Sequence, residues 1–237
     1  MGLRFSLLRA AKRKREPSSL ERCGPIKAPF NFNASEIAAH SPEVTGRILL
    51  DSMRQRFGWR SFQGKRLLDF GCGVRFAQTI FNLEIPVARY LGIDVNDDAV
   101  RWLKDNFGDQ RFSFAHLDMR NAMYNPNGRE CPADALSFLG RATFDAACMF
   151  SVITHQAPDD AVRIFTMLRP YARRLYFTAF IDDGVADYAE KDPDKLRNMS
   201  TYSAAFLTRK LGEAGWSVRA SYPPSLFQQT AFVCARS

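Results

Sequence analysis

Four carboxylates, two glycines and one imidazole mark where this chain could do chemistry. The run Lys65-Arg66-Leu67-Leu68-Asp69-Phe70 is a mostly apolar strand pattern with an acid near its end, and Gly71 and Gly73 follow two positions apart. Without Cβ atoms these glycines let the backbone turn sharply and come close to a ligand, and Asp69 puts a carboxylate at a strand's carboxyl end, where open α/β sheets bind ligands. A second run, Arg89-Tyr90-Leu91-Gly92-Ile93-Asp94, ends in another carboxylate. It comes about 20 residues past the glycine turn, where a ribose diol needs a paired acceptor. A nucleoside cofactor is the ligand class to which this spacing points. A dinucleotide fingerprint needs a third glycine three positions after the second, and Phe76 stands there, so NAD loses support.

Acid-base candidates lie further along. His155 closes Ser151-Val152-Ile153-Thr154-His155, directly after an apolar run. Imidazole titrates near neutral pH, so His155 could take the proton of a hydroxyl acceptor, or it could simply hydrogen-bond its own loop. Asp182 and Asp183 follow the apolar run 174 to 181 and are alternative bases or metal ligands, or else helix caps or solvated side chains. His116, two residues before Asp118, is expected to face the sheet interior. The five cysteines show no C-x-x-C spacing, which points to a reduced, cytoplasmic setting. The histidines His40, His116 and His155 are widely scattered, so no metal site is expected.

The elements that must position these residues follow from periodicity. Apolar runs predict strands near 65–70, 90–94, 111–116, 144–149 and 174–181, with helices near 75–83, 97–107, 133–139, 157–168 and 202–214. Strand and helix alternate, which predicts a parallel sheet covered by helices on both faces. Two last strands, 216–220 and 228–235, would form an antiparallel pair joined through Pro223-Pro224. Asn96 or Asp97 is the expected cap of the helix after Asp94. Before the first strand, residues 17 to 33 read as an irregular arm, and a helix over 36–57, with Ser35 as its cap, would lie over the cleft. Phe30, Phe32 and His40 could line an acceptor site there or merely anchor the arm. Between Asp182 and Ser200 a charged segment with Gly184 and Pro193 reads as an acceptor-side lid, to which Tyr188, Tyr202 and Phe206 could add an aromatic or sugar pocket.

Of the net charge of +8, six come from Arg4, Arg9, Lys12, Arg13, Lys14 and Arg15, ahead of the first acid, Glu16. The basicity is therefore a property of the tail. Interleaved with Leu3, Phe5, Leu7 and Leu8, it could lie as a short amphipathic helix on anionic lipid or nucleic acid, or fray into water. No apolar run reaches the roughly 20 residues a membrane helix requires, and no secretory signal is expected, so a soluble chain follows.

The acid-x-Gly-x-Gly turn at 69–73 resembles motif I of the class I S-adenosylmethionine-dependent methyltransferases. The resemblance extends in family order over roughly residues 65 to 235: Leu117-Asp118-Met119 is similar to the adenine-binding acidic turn, Phe144 to His155 to the fourth strand and its loop, and Leu168-Arg169-Pro170 with Arg174 to Phe180 to the helix end and fifth strand. The family fold is Rossmann-like, a seven-stranded, mostly parallel sheet in the order 3-2-1-4-5-7-6 with helices on both faces. Residues 1–63 would then be tail, arm and N-terminal helix, and 64–237 the cofactor domain. The resemblance implies that Asp69, Gly71 and Gly73 surround the methionine portion of S-adenosylmethionine. It further implies that Asp94, with Val95 beside it, receives the ribose hydroxyls, that Asp118 and Met119 meet the adenine, and that Phe150 lies against the cofactor. It also makes His155 and Asp182 the catalytic candidates. Arg75 stands where the family commonly has a third glycine, and either points to solvent or reaches the cofactor carboxylate or an anionic acceptor. No Asn-Pro-Pro-Tyr motif follows the fourth strand and no RNA-binding module is legible. The implied reaction is methyl transfer to a hydroxyl of a small molecule or saccharide; an amine or RNA acceptor, or a cofactor-binding protein without catalysis, are the alternatives.

Overall fold

The computed structural model describes residues 26–28, 41–121, 123–130, 132, 134–190, 199–224 and 228–237. The basic tail, Phe30, Phe32, Ser35, His40 and positions 191–198 of the expected lid lie outside the described residues.

Helix α1, Pro42–Arg56, opens with Ser41 accepting from the Val44 amide and with proline at its first position, where the missing N–H costs nothing. There follow β1 (Arg66–Phe70), α2 (Arg75–Asn82), β2 (Arg89–Asp94), α3 (Asp97–Asn106), β3 (Phe112–His116), β4 (Ala146–Met149), α4 (Pro158–Leu168) and β5 (Arg174–Ile181). After β5 come β6 (Tyr188–Glu190), β7 (Ser200–Tyr202), α5 (Ala204–Glu213), β8 (Trp216–Tyr222) and β9 (Thr230–Arg236). Asn96 caps α3, its side chain accepting from the Ala99 amide. Where a helix was expected over 133–139, the described chain makes only a 3-10 turn, Ser137–Leu139, stopped by Gly140 at φ 55.

β1 pairs in parallel with β2 and β4, β2 with β3, and β4 with β5. β9 pairs antiparallel with both β5 and β8. Seven strands thus stand in the order β3-β2-β1-β4-β5-β9-β8, the expected 3-2-1-4-5-7-6. The count of seven needs correction, because the sheet has nine strands. β6 and β7 pair with one another, and β7 runs parallel to the last residues of β5 through Phe180↔Thr201 and Ile181↔Tyr202. Part of the expected lid is therefore built into the sheet. Tyr202 is fully buried and donates to the Gln156 carbonyl, and Phe206 is buried as well, so these two are core side chains.

Alternation along the strands divides the core. Leu68, Ala147, Met149, Leu175 and Phe177 face α4 and α5, whereas Leu67, Tyr90, Ala146, Cys148 and Tyr176 face α1, α2 and α3. Both faces are covered, which is why β1 and β2 read as near-continuous apolar runs. α1 lies close against α2: a Cβ on Gly46 would come within 2.0 Å of Thr79 Oγ1. Glu43 accepts from both Gln78 and Asn82 of α2 at 2.7 Å. Among the described residues no helix is long and apolar enough to cross a membrane.

Candidate active site

The candidate residues gather at the carboxyl ends of β1 to β5. Between β1 and α2 the chain turns through Gly71 at φ +72 and Gly73 at φ +46, left-handed conformations that favour glycine. The amides of Gly71 and Cys72 both donate to the Ile93 carbonyl, at 2.8 and 3.1 Å, which ties the turn to β2. The two glycines serve different ends. A Cβ on Gly71 would sit 2.4 Å from Val152 Cγ2 in the loop after β4, whereas a Cβ on Gly73 would meet nothing within 4 Å. The turn thus closes against β4 on one side and faces open space on the other.

Asp94 ends β2 and is 9% exposed. Its Oδ2 accepts from the Gly73 amide at 2.7 Å and its Oδ1 from the Asn96 amide at 2.9 Å. Burial pushes this carboxyl up, only partly offset by the Asn96, Gly73 and Val95 amides and by His116. A carboxylate offers about four acceptor positions, more than these amides use, which leaves capacity for a ligand hydroxyl beside the open Gly73 turn. Val95 is half-buried, packed against the core on the α4 side. His116 does not face the sheet interior. It is half-buried, with Nε2 3.1 Å from the Val95 carbonyl and Nδ1 3.7 Å from Asp97, because β3 ends where α3 begins.

Asp69 turns into the protein. It is 2% exposed; Tyr90 Oη donates to its Oδ2 at 2.5 Å, and Cys148 Sγ donates to its Oδ1 at 3.6 Å. Burial pushes its carboxyl up to about 7, with the Tyr90 and Cys148 hydrogen bonds opposing and Asp94 adding to the rise. The Tyr90 and Cys148 donors were not anticipated from sequence. Register explains them: Asp69 pairs with Cys148 across β4 and with Gly92 across β2, while Tyr90 stands opposite Leu67 on the same face.

Asp118 is exposed, held by Asn125 Nδ2 at 3.1 Å and paired with Arg129 Nε at 3.2 Å. Met119 is buried, and its carbonyl also accepts from Asn125. Phe150 is half-buried, edge-on to Phe76 of α2 at 4.8 Å and tilted against Tyr176 at 5.3 Å. Arg75 does not run into solvent. Half-buried at the start of α2, it donates to Thr45 Oγ1 of α1, since α1 covers the surface its side chain would cross.

The loop after β4 starts with Ser151 at φ 57, an uncommon conformation for a residue with a side chain. Its amide donates to Thr178 Oγ1 at 3.1 Å, and its hydroxyl meets Gln229, so the loop is latched onto β5 and the start of β9. His155 follows, half-buried, in the 3-10 turn Ile153–His155. Beyond β5, Asp182 is exposed and accepts from the Gly184 amide at 2.8 Å, and Asp183 accepts from the Ala204 amide at 2.9 Å at the start of α5. These two carboxylates stabilise a turn and a helix end. Among the described residues no three His, Cys, Asp or Glu side chains converge as a metal site.

Three solved structures share this architecture. An amino pentose methyltransferase from Micromonospora echinaspora, with bound S-adenosylmethionine, superposes at TM-score 0.59 and 12% identity over 90% of this chain and 98% of its own. A Burkholderia thailandensis 1,6-didemethyltoxoflavin-N1-methyltransferase, solved with 1,6-didemethyltoxoflavin and S-adenosylhomocysteine, gives 0.57 and 17% over 91% and 93%. The magnesium protoporphyrin IX methyltransferase of Synechocystis PCC 6803, with bound S-adenosylmethionine, gives 0.54 and 16% over 89% and 86%. At these identities the likeness is one of fold. A family model described as a methyltransferase domain matches residues 46–221, from within α1 to within β8, and with the sheet order and the glycine turn it shows that this chain belongs to the class I S-adenosylmethionine-dependent methyltransferases.

Proposed function

We propose that this enzyme moves the methyl group of S-adenosylmethionine to a hydroxyl of a small molecule or saccharide. The observation that carries the cofactor reading is the pairing of an open turn at Gly73 with Asp94, a buried carboxylate that ends β2 and has more acceptor capacity than its backbone amides use. A ribose diol supplies donors that match that capacity. In this reading Gly71 and Gly73 let the methionine portion approach, Asp94 and Val95 hold the ribose, Asp118 and Met119 meet the adenine, and Phe150 walls the cleft on the β4 side. When bound, the sulfonium supplies an already activated methyl group.

The chain's own work is then to orient the acceptor, which alone can contribute roughly 7 to 11 kcal/mol, and to receive its proton. His155 is the proposed base, because its turn follows β4 beside the glycine turn and its imidazole is half-buried. Asp182 is the second candidate, one strand away. A small-molecule acceptor is supported by neighbours named for magnesium protoporphyrin IX, 1,6-didemethyltoxoflavin and an amino pentose. An amine is the second reading, favoured by the N1-methyltransferase among them. The test is calorimetry with S-adenosylmethionine, then transfer of labelled methyl to a panel of sugars, phenols and amines. Absence of cofactor binding by folded protein would sink the proposal, and transfer only to amines would replace the hydroxyl with nitrogen.

A further inference from the structure

Asp69 lies one residue before the end of β1 and Asp94 ends the adjacent β2, close to the glycine turn in sequence and space, and both are nearly closed to water. Among the described residues no lysine or arginine forms an ion pair with either. Asp69 is held by two neutral donors, the Tyr90 hydroxyl of β2 and the Cys148 thiol of β4, and burial pushes both of these groups up, which keeps their protons on. Cys72, in the turn itself, senses both carboxylates, and its thiol is likewise pushed up by burial. Tyr176 of β5 senses Cys148 and is raised by its own burial. Among the described residues, the basic group that acts on either carboxylate is His116 of β3, on Asp94. Two acids therefore share a poorly solvated site with little positive charge, and in such surroundings charges interact strongly.

That arrangement suits a cation. The methionine amine and carboxylate are common to the methyl donor and its demethylated product and cancel in the comparison; the sulfonium charge is what differs. We infer that Asp69 and Asp94 form a charge gauge for that sulfonium, with Asp69 giving up a proton to water as the cation settles and regaining one when the methyl group leaves and the sulfur becomes neutral. The balance is complete within the reaction: one proton leaves Asp69 on cofactor binding and one returns on product formation, apart from the acceptor's own proton, which goes to the base. The gauge lets one pocket hold the donor and release the product. The inference rests on the cofactor reading above and deepens it.

The experiment is calorimetry of the full chain with S-adenosylmethionine and, separately, S-adenosylhomocysteine, in two buffers of different ionisation enthalpy. Because Asp69 sits up at about 7, donor binding at pH 7 is expected to release roughly half a proton. From pH 6 to pH 8 its Kd should tighten about tenfold, whereas the product should release little and bind with a nearly flat profile. Asp69→Asn should abolish the proton release. Tyr90→Phe, which removes one donor to the carboxylate, should move the midpoint of the donor's pH dependence upward, a shift that mere loosening of the turn would not produce. Equal proton release by donor and product overturns the inference, and so does tight donor binding without release. Failure of both molecules to bind would instead strike the cofactor reading itself.

Discussion

Replacing Asp94 with alanine tests the ribose assignment most directly. In the protein alone the carboxylate already accepts two backbone amides, Gly73 at 2.7 Å and Asn96 at 2.9 Å. Its removal leaves two N–H groups without acceptors, worth roughly 1 to 3 kcal/mol each if they stayed dry. Two effects reduce that cost: Gly73 faces open space, which lets water reach its amide, and a carboxyl raised by burial is removed. A modest fall in melting temperature with retained fold is expected. Cofactor binding should suffer more, because each charge-assisted bond to a ribose hydroxyl contributes roughly 1.5 to 3 kcal/mol, and losing one weakens Kd about 10- to 150-fold. Asp94→Asn keeps an acceptor oxygen for one amide and should fall between wild type and alanine. Calorimetry with S-adenosylmethionine, controlled by circular dichroism, reads both effects. A folded Asp94→Ala protein that binds the cofactor with wild-type affinity would refute the argument.

His155→Ala is expected to lower turnover about 10²-fold or more with cofactor Kd little changed, and to remove the limb of the pH–rate profile that the imidazole sets; normal turnover redirects the search to Asp182. Without any ligand, Asp69 should leave a signature in stability. Its carboxyl is raised from 3.8 to about 7, so the folded chain binds that proton more tightly than the unfolded chain, and stability falls as pH rises between those values. The difference amounts to roughly 4 kcal/mol, and chemical denaturation of Asp69→Asn should lack it; parallel curves for the two proteins would contradict the burial argument. Gly46→Ala places a methyl group 2.0 Å from Thr79 Oγ1, which is itself bonded to the Pro42 and Arg75 carbonyls. Overpacking of this kind costs about 1 to 3 kcal/mol, and an unchanged melting temperature would show that α1 shifts freely on α2.

Local pattern was enough for the elements that depend on local pattern. The apolar runs ending at Phe70, Asp94 and His116, the glycines at 71 and 73, and the Asn96 cap are all visible in the chain, because strand burial, positive φ and capping are each set by a few adjacent residues. Strand order came from the family resemblance, since periodicity says which residues are buried but not which strands are neighbours. The directions of particular side chains were illegible. Asp69 points at Tyr90 and Cys148 because registers between strands far apart in sequence put those three on one face, and Arg75 lies against Thr45 because α1 packs over α2. Likewise β7 extends the sheet beside β5 and buries Tyr202, where the pattern suggested a lid up to Ser200 followed directly by a helix from 202. Residue types along the chain determined that a glycine turn and two strand-end acids would exist. Only the packing of distant strands and helices decided which acid keeps acceptor positions beside the open turn and which is sealed in a site with almost no compensating positive charge, because burial and electrostatic surroundings belong to the neighbours a residue acquires in space.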